Sequence, residues 1–135
     1  MKVDTLLTGG CVVTMDPARR VIEQGAVAVT EGRIVALGDA AALNTEIQAE
    51  KVVDCTGHVV FPGLIDVHAH AGHGLVKTLG MHGGERWEEI CGEVYTQVSP
   101  PEFWHAEARL AALERLRFGV TTGVSLLGGG YNHAY

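Results

Sequence analysis

Two histidines separated by one alanine, His68-Ala69-His70, form the motif of this sequence with the clearest chemical use. If they lie on a β-strand, residues 66, 68 and 70 point to one side, because successive side chains alternate between the two faces. Two imidazoles on one face can bind the same divalent metal ion. The spacing alone is weak evidence, since seven histidines in 135 residues make a chance pair of this kind common.

Two polar residues beside the histidine pair are further candidates. Asp66 shares the predicted face and could accept a hydrogen bond from a ring nitrogen, which would fix the histidine tautomer. The alternative interpretation of Asp66 is a structural carboxylate that accepts backbone hydrogen bonds. His73 follows in the next loop, where it would contact substrate, support the metal ligands, or simply be solvated. No catalytic residue is assigned within the chain.

The elements around the pair predict a strand–helix–strand unit. Pro62-Gly63 opens the strand that ends at His70, and a second apolar, β-branched strand is predicted at Val120–Leu127. Two helices are predicted between these strands, Glu85–Val98 and Pro101–Phe118. Such a connection joins parallel strands, and the carboxyl ends of these strands carry the active sites of β/α barrels.

The second predicted helix has signals at its start and along one face. Ser99 is the predicted N-cap, because its hydroxyl can accept a backbone hydrogen bond and the following prolines suit a first helical turn. Glu107 is predicted to lie largely off the apolar face. The apolar stripe predicted for this helix consists of Phe103, Leu110, Leu113 and Leu116.

The first sixty residues predict short strands joined by tight turns, which is typical of a small β-sandwich or part of one. The strongest hairpin signal is Glu31-Gly32, since glycine tolerates the positive φ that a tight turn needs. Gly9-Gly10 is predicted to be another turn, and the alanine-rich segment Ala40–Glu50 a short helix. The predicted strands are Val3–Thr8, Val12–Met15, Ala26–Thr30, Arg33–Leu37, Lys51–Asp54 and His58–Phe61.

Composition and charge exclude several classes of partner. The net charge is −6, and the sequence has no basic stripe to neutralise phosphates, so nucleic acid is not an expected partner. No apolar run is long enough to span a bilayer, so a membrane is not an expected partner either. The three cysteines are scattered, which favours reduced thiols and predicts a soluble, cytoplasmic protein.

A longer pattern around the histidine pair resembles the opening of the amidohydrolase superfamily. It begins with Asp54-x-x-Gly57, and the later segment Glu114-x-x-x-x-Gly119-Val120-Thr121-Thr122 resembles that family's approach to its second barrel strand. The branch it resembles most contains cytosine deaminase and triazine chlorohydrolase, because a long helical stretch separates the two strands. The central segment of the pattern is Phe61-Pro62-Gly63-Leu64-Ile65-Asp66-Val67-His68-Ala69-His70.

The resemblance implies an α/β architecture in two parts. Residues 1–60 would form part of a composite β-sandwich, and residues 61–135 the first two strands of a TIM (β/α)8 barrel with the intervening helices. A complete barrel needs about 250 residues. The remaining strands are therefore expected from another polypeptide or from a segment outside this sequence, and a hetero-oligomer is the expected assembly.

The resemblance also implies a metal-dependent hydrolase that activates water to cleave a C–N or C–halogen bond of a small nitrogen-containing heterocycle. His68 and His70 match the family's first two metal ligands, and the other ligands of the family lie on later strands. Zinc is the expected metal, with iron or manganese as alternatives. Two other interpretations stay open: a fragment of a binuclear cyclic amidase of the hydantoinase or dihydroorotase type, and a non-catalytic scaffold subunit.

Overall fold

The structure is a computed structural model that describes residues 1–70, 74, 75, 77, 89, 93 and 99–125. Backbone contacts divide the chain into two units, Met1–Pro62 and Gly63–Tyr135. Each unit contains one sheet in the part that the structure describes, with five strands in the first and two in the second. Within the described ranges, no helix combines the length and the apolarity needed to cross a bilayer.

The sheet of the first unit is organised around its first strand. In space the order is β3-β2-β1-β4, and β5 extends the β4 side by pairing with β1. β1 runs antiparallel to β2 and parallel to β4 and β5. The strands are β1 Lys2–Val13, β2 Val21–Thr30, β3 Arg33–Asp39, β4 Gln48–Asp54 and β5 Val59–Val60.

The glycine pair in β1 is not a turn, and this part of the sequence-based prediction was wrong. β1 continues through Gly9-Gly10 as one strand of twelve residues. Gly9 has a φ of 81°, and the register with β2 shifts on both sides of Gly10. A glycine in the left-handed region can absorb an extra residue as a β-bulge, which bends the strand without reversing it. The two predicted strands are therefore halves of one.

The predicted hairpin is confirmed. β2 and β3 are antiparallel, Thr30 pairs with Arg33, and both turn residues, Glu31 and Gly32, have positive φ. This is the turn whose twist matches that of the flanking strands. The Asp4 carboxylate also accepts a hydrogen bond of 2.7 Å from the backbone N–H of Glu31, which anchors the turn to β1.

The alanine-rich helix is shorter than predicted. α1 spans Ala40–Glu46, and the Asp39 carboxylate caps it by accepting a hydrogen bond of 3.1 Å from the N–H of Ala42. The β-branched Ile47 is already extended, with a φ of −111°. The next residue, Gln48, donates its N–H to the Met1 carbonyl, so the chain enters β4 beside β1.

The core of the first unit lies where α1 covers the sheet. It is built from Val3, Leu6, Ala26, Ala28 and Ala40. The alanines on β2 leave room for the helix to approach, and Leu43 and Ile47 pack against the rim of this cluster. At the last residue of β4, the Asp54 carboxylate accepts hydrogen bonds from the hydroxyl and N–H of Thr56, and these bonds lower the pKa of Asp54.

The second unit is a strand–helix–strand arrangement. β6 spans Leu64–Ala69, α2 spans Pro101–Arg117 and β7 spans Val120–Ser125. β6 and β7 are parallel, which confirms the predicted pairing. The helix predicted at Glu85–Val98 lies almost wholly outside the described residues.

Two details of α2 correct the sequence-based prediction. The N-cap is Pro100 and not Ser99, because Pro101 forces the residue before it into an extended conformation, here with φ −74° and ψ 164°. The predicted apolar stripe is not the buried face either: Leu113 and Leu116 are each 63% exposed, whereas Trp104, Glu107 and Ala111 are buried. Glu107 is tolerated inside because its carboxylate accepts a backbone hydrogen bond, described below.

Candidate metal site

The candidate site forms at the carboxyl end of β6. The strand starts close to β7, since a Cβ atom at Gly63 would overlap the Thr121 side chain, and only glycine permits this approach. Asp66 and His68 follow on β6, and His70 lies one residue beyond its end. His68 is exposed and His70 half-buried, while Ala69 between them is buried, 5% exposed.

The structure brings the two predicted histidines together. Their Nε2 atoms lie 3.4 Å apart, with ring centroids 5.3 Å apart and ring planes inclined at 60°. Two nitrogens bound to one tetrahedral zinc ion at about 2.0–2.1 Å lie about 3.3–3.4 Å from each other. The pair therefore has the separation that one edge of a zinc coordination tetrahedron requires. Without a metal, the same distance allows only a long N–H···N contact, which is weak.

Asp66 lies on the same face but contacts the backbone. Its Oδ1 accepts a hydrogen bond of 3.2 Å from the N–H of His68, and its Oδ2 lies 3.6 Å from Nε of Arg115. These are contacts of a carboxylate that holds the end of the strand in place. A contact from Asp66 to an imidazole nitrogen, the other interpretation made from sequence, stays a prediction.

Arg115 is a residue of the site that the sequence did not reveal. It lies near the end of α2, and its Nη2 donates a hydrogen bond of 3.1 Å to the backbone carbonyl of His70. Arginine is common in the last turn of a helix, because its charge interacts favourably with the helix dipole. Its presence at this position therefore does not indicate a site. The sequence carries no signal that would connect Arg115 to residues 45 positions earlier, because only the fold of the β6–α2 unit brings them together.

The same helix also contacts two described residues after His70, Leu75 and Lys77. The buried carboxylate of Glu107 accepts a hydrogen bond of 2.6 Å from the N–H of Leu75, and Glu114 forms an ion pair of 2.6 Å with Lys77. Glu107 is fully buried whereas the Lys77–Glu114 pair is largely exposed, so Glu107 makes the stronger anchor.

The sequence predicts one further site residue, His73, and contains other histidines. His73 lies outside the described residues. His58 and His105 are exposed, on the loop before β5 and on α2 respectively. Among the residues that the structure describes, no cluster of three or more histidine, cysteine or acidic side chains could hold a metal ion. A catalytic zinc site usually has three protein ligands, so the described residues supply two of them at most.

Comparison with known proteins identifies the family of this chain. No protein-family model matches the sequence. Among curated proteins, the chain is 42% identical over 78 residues to a 5-methylthioadenosine/S-adenosylhomocysteine deaminase of Syntrophobacter fumaroxidans, which aligns 58% of this chain and 18% of that protein. It is 30% identical over 121 residues to a 5'-deoxyadenosine deaminase of Methanosarcina mazei, covering 88% of this chain and 27% of that protein.

The structural comparison extends this similarity to nearly the whole chain. A crystal structure of an adenosine deaminase from Xanthomonas campestris with bound zinc superimposes with a TM-score of 0.82 at 29% identity, over 93% of this chain and 29% of that one. The chain belongs to the amidohydrolase superfamily. Another neighbour is atrazine chlorohydrolase from Arthrobacter aurescens complexed with zinc, with a TM-score of 0.69 and 25% identity over 90% of this chain and 28% of that one.

Membership of the amidohydrolase superfamily confirms the resemblance stated from sequence. The chain spans less than a third of the length of each of these relatives. The sheet-rich first unit is consistent with the N-terminal part of such proteins, as the similarity to the adenosine deaminase structure shows.

Proposed function

We propose that this chain supplies two metal-binding histidines to a zinc-dependent hydrolase that removes an amino group from a nitrogen heterocycle. The observation that carries the proposal is the 3.4 Å separation of the His68 and His70 Nε2 atoms at the carboxyl end of a parallel strand. That end of the strand is where β/α barrel enzymes place their active sites.

The described residues fit a zinc ion in the kind and spacing of two donors, and the remaining ligands would come from elsewhere. Imidazole nitrogen is a common zinc donor, and the Nε2 atoms of the two histidines lie 3.4 Å apart. When bound, zinc supplies Lewis acidity that makes a water molecule nucleophilic near neutral pH. The role of this chain is to hold two donors at fixed separation and to leave one side of the site open to solvent and substrate, as the exposure of His68 allows.

The proposed substrate class comes from the relatives. Deaminases of adenosine, 5'-deoxyadenosine, and 5-methylthioadenosine or S-adenosylhomocysteine are all similar to this chain. Each of these substrates carries an amino group on an electron-poor ring carbon. Atrazine chlorohydrolase indicates that the fold also accommodates loss of halide. Deamination of an aminopurine nucleoside or a related heterocycle is therefore the proposed reaction, and displacement of halide the runner-up.

We also propose that β6 and β7 are the first two strands of a (β/α)8 barrel whose other strands lie outside this sequence, in a complementary polypeptide or segment. Exposed apolar residues on both strands support this, because parallel strands are normally covered on both faces. The further metal ligands would come from those strands. A cytoplasmic location is proposed because Cys11 and Cys55 are free thiols.

The experiment is a metal analysis of the enzyme that contains this chain. His68→Ala and His70→Ala should each remove most of the zinc and lower deamination of adenosine analogues by more than about a hundredfold, beyond the loss typical for residues that only support ligands. His105→Ala, at an exposed position on α2, is the control and should change neither. His73→Ala should leave zinc content intact and alter the kinetics. Full zinc content in either His68→Ala or His70→Ala would contradict the proposal.

A further inference from the structure

The backbone at the end of β6 is held by contacts that converge on one side chain. His70 lies just past the last residue of β6, and Ala69–Ser125 is the last pair with β7 among the described residues. The guanidinium of Arg115 reaches this point and donates a hydrogen bond of 3.1 Å to the His70 carbonyl. Arg115 thus contacts the backbone directly beyond the end of β6.

The same guanidinium is linked to the other histidine through Asp66. Its Nε lies 3.6 Å from Asp66 Oδ2, and Oδ1 of that carboxylate accepts the N–H of His68. Arg115 and Asp66 are both partly buried, with side chains 26% and 33% exposed, so solvent screens their attraction only in part. One guanidinium therefore acts on the backbone of both histidines, directly at residue 70 and through a carboxylate at residue 68.

We propose that Arg115 is a positioning residue that fixes the spacing of the two imidazoles for metal binding. Rotating the backbone at His70 by a few degrees moves its Nε2 by several tenths of an ångström, because the ring lies far from the backbone. Metal–nitrogen distances tolerate deviations of only about 0.2 Å. A planar guanidinium suits this task because its rigid fork can donate to two acceptors at once, whereas lysine is a single point of charge.

This inference rests on the proposed function, and the experiment separates the two. Zinc affinity of the enzyme containing this chain is measured by competition with a chromophoric chelator, together with the visible spectrum after cobalt substitution and the melting temperature without metal. The variants are Arg115→Met, Arg115→Lys and His68→Ala. Arg117→Met is the matched control, since Arg117 is exposed in the same last turn of α2.

Arg115→Met should raise the dissociation constant for zinc about 10- to 100-fold, the usual effect of losing a residue that orients metal ligands. It should also shift the cobalt absorption bands, which report ligand geometry and which a purely structural role would leave unchanged. Arg115→Lys should recover part of the affinity, because it retains the charge but cannot make both contacts. Arg117→Met should behave as the unmodified enzyme.

The inference would be overturned if Arg115→Met bound zinc within twofold of the unmodified enzyme while His68→Ala was depleted of zinc. The proposed function would then still stand. Retention of zinc by His68→Ala would overturn both. If Arg115→Met does not fold, Arg115→Lys decides: a threefold or greater rise in the dissociation constant supports the inference, and an unchanged constant overturns it.

Discussion

The two sheets of this molecule differ in how completely they bury their apolar side chains. In the first unit, β1 has neighbours on both edges and α1 over one face, and its Leu6 is only 3% exposed. In the β6–β7 pair, apolar side chains are open to solvent, with Ile65 66% exposed and Val67 76% exposed. The two candidate metal ligands belong to the less covered sheet: His68 lies on β6 and His70 directly after it.

The difference follows from the two kinds of sheet. An outer face of a mainly antiparallel sheet can remain in water, whereas a parallel strand is apolar on both faces because both are normally covered. β6 has the sequence Leu64-Ile65-Asp66-Val67-His68-Ala69, in which only the positions of Asp66 and His68 interrupt the apolar run. A two-stranded sheet is also marginal on its own in water. The first unit carries its own core, while the described strands of the second leave apolar side chains exposed.

The largest effect expected from this contrast is in hydrogen exchange of the 135-residue chain on its own. Amides in β1 and β2 should be protected roughly a hundredfold or more, an opening free energy of about 3 kcal/mol, because they surround the buried core. Amides in β6 and β7 should be protected less than about tenfold. Exchange followed by mass spectrometry on peptides from each sheet measures both values in one sample.

A complete enzyme provides the control for that measurement. If the proposed strands flank β6 and β7 there, protection in this pair should rise to the level of the first sheet. Equal protection of both sheets in the 135-residue chain alone would show that β6 and β7 need no further cover, and would contradict the proposed barrel.

Local signals made much of the fold predictable, and the failures have physical causes. The Glu31-Gly32 hairpin was predictable because the turn residues alone determine its geometry. The Gly9-Gly10 bulge was not, because the same dipeptide permits a turn or a bulge, and pairing with β2 and β4 decides between them. The buried face of α2 was missed because burial of Glu107 depends on a backbone donor from residue 75, which no helical periodicity reveals.

The site was predictable only in its local part. The His68-Ala69-His70 spacing and the strand alternation together predict that the two rings lie on one side, and the structure brings them within 3.4 Å. Arg115 could not be predicted, since its link to Asp66 and His70 depends on tertiary packing of α2 against the strand end. The role of both histidines as metal ligands stays a prediction until metal content is measured.

A second prediction tests the close pairing that starts β6. Gly63→Ala should destabilise the enzyme containing this chain by about 1–3 kcal/mol, because the new methyl group would overlap the Thr121 side chain and force the strands apart. Gly38→Ala is the control in the first sheet: its nearest neighbour, Leu43, lies at 3.9 Å, an ordinary contact. That change should be neutral or stabilise by up to about 1 kcal/mol. Denaturant unfolding of the three proteins gives these differences.

Adding Thr121→Ala to Gly63→Ala should restore part of the lost stability, since it removes the Oγ1 and Cγ2 atoms that the methyl group would meet. If Gly63→Ala unfolds at the same denaturant concentration as Gly38→Ala, the strands are not as tightly paired at this point as the structure has them.

The smallest expected effect concerns a hydroxyl group in the well-covered sheet. Among the described residues, the buried Oγ1 of Thr30 has no hydrogen-bond partner. A hydroxyl removed from water without a new partner costs free energy, whereas valine has nearly the same shape, no polar atom and a good β-propensity. Thr30→Val should therefore stabilise the protein by up to about 1 kcal/mol.

Thr8→Val is the comparison change on β1, where the hydroxyl donates a hydrogen bond of 3.0 Å to Asn44. This change should destabilise the protein by about 0.5–1.5 kcal/mol. Opposite signs would agree with an exposed, hydrogen-bonded hydroxyl at Thr8 and a buried hydroxyl without a partner at Thr30. Destabilisation of similar size in both variants, measured by denaturant midpoint, would mean that the Thr30 hydroxyl is satisfied in solution.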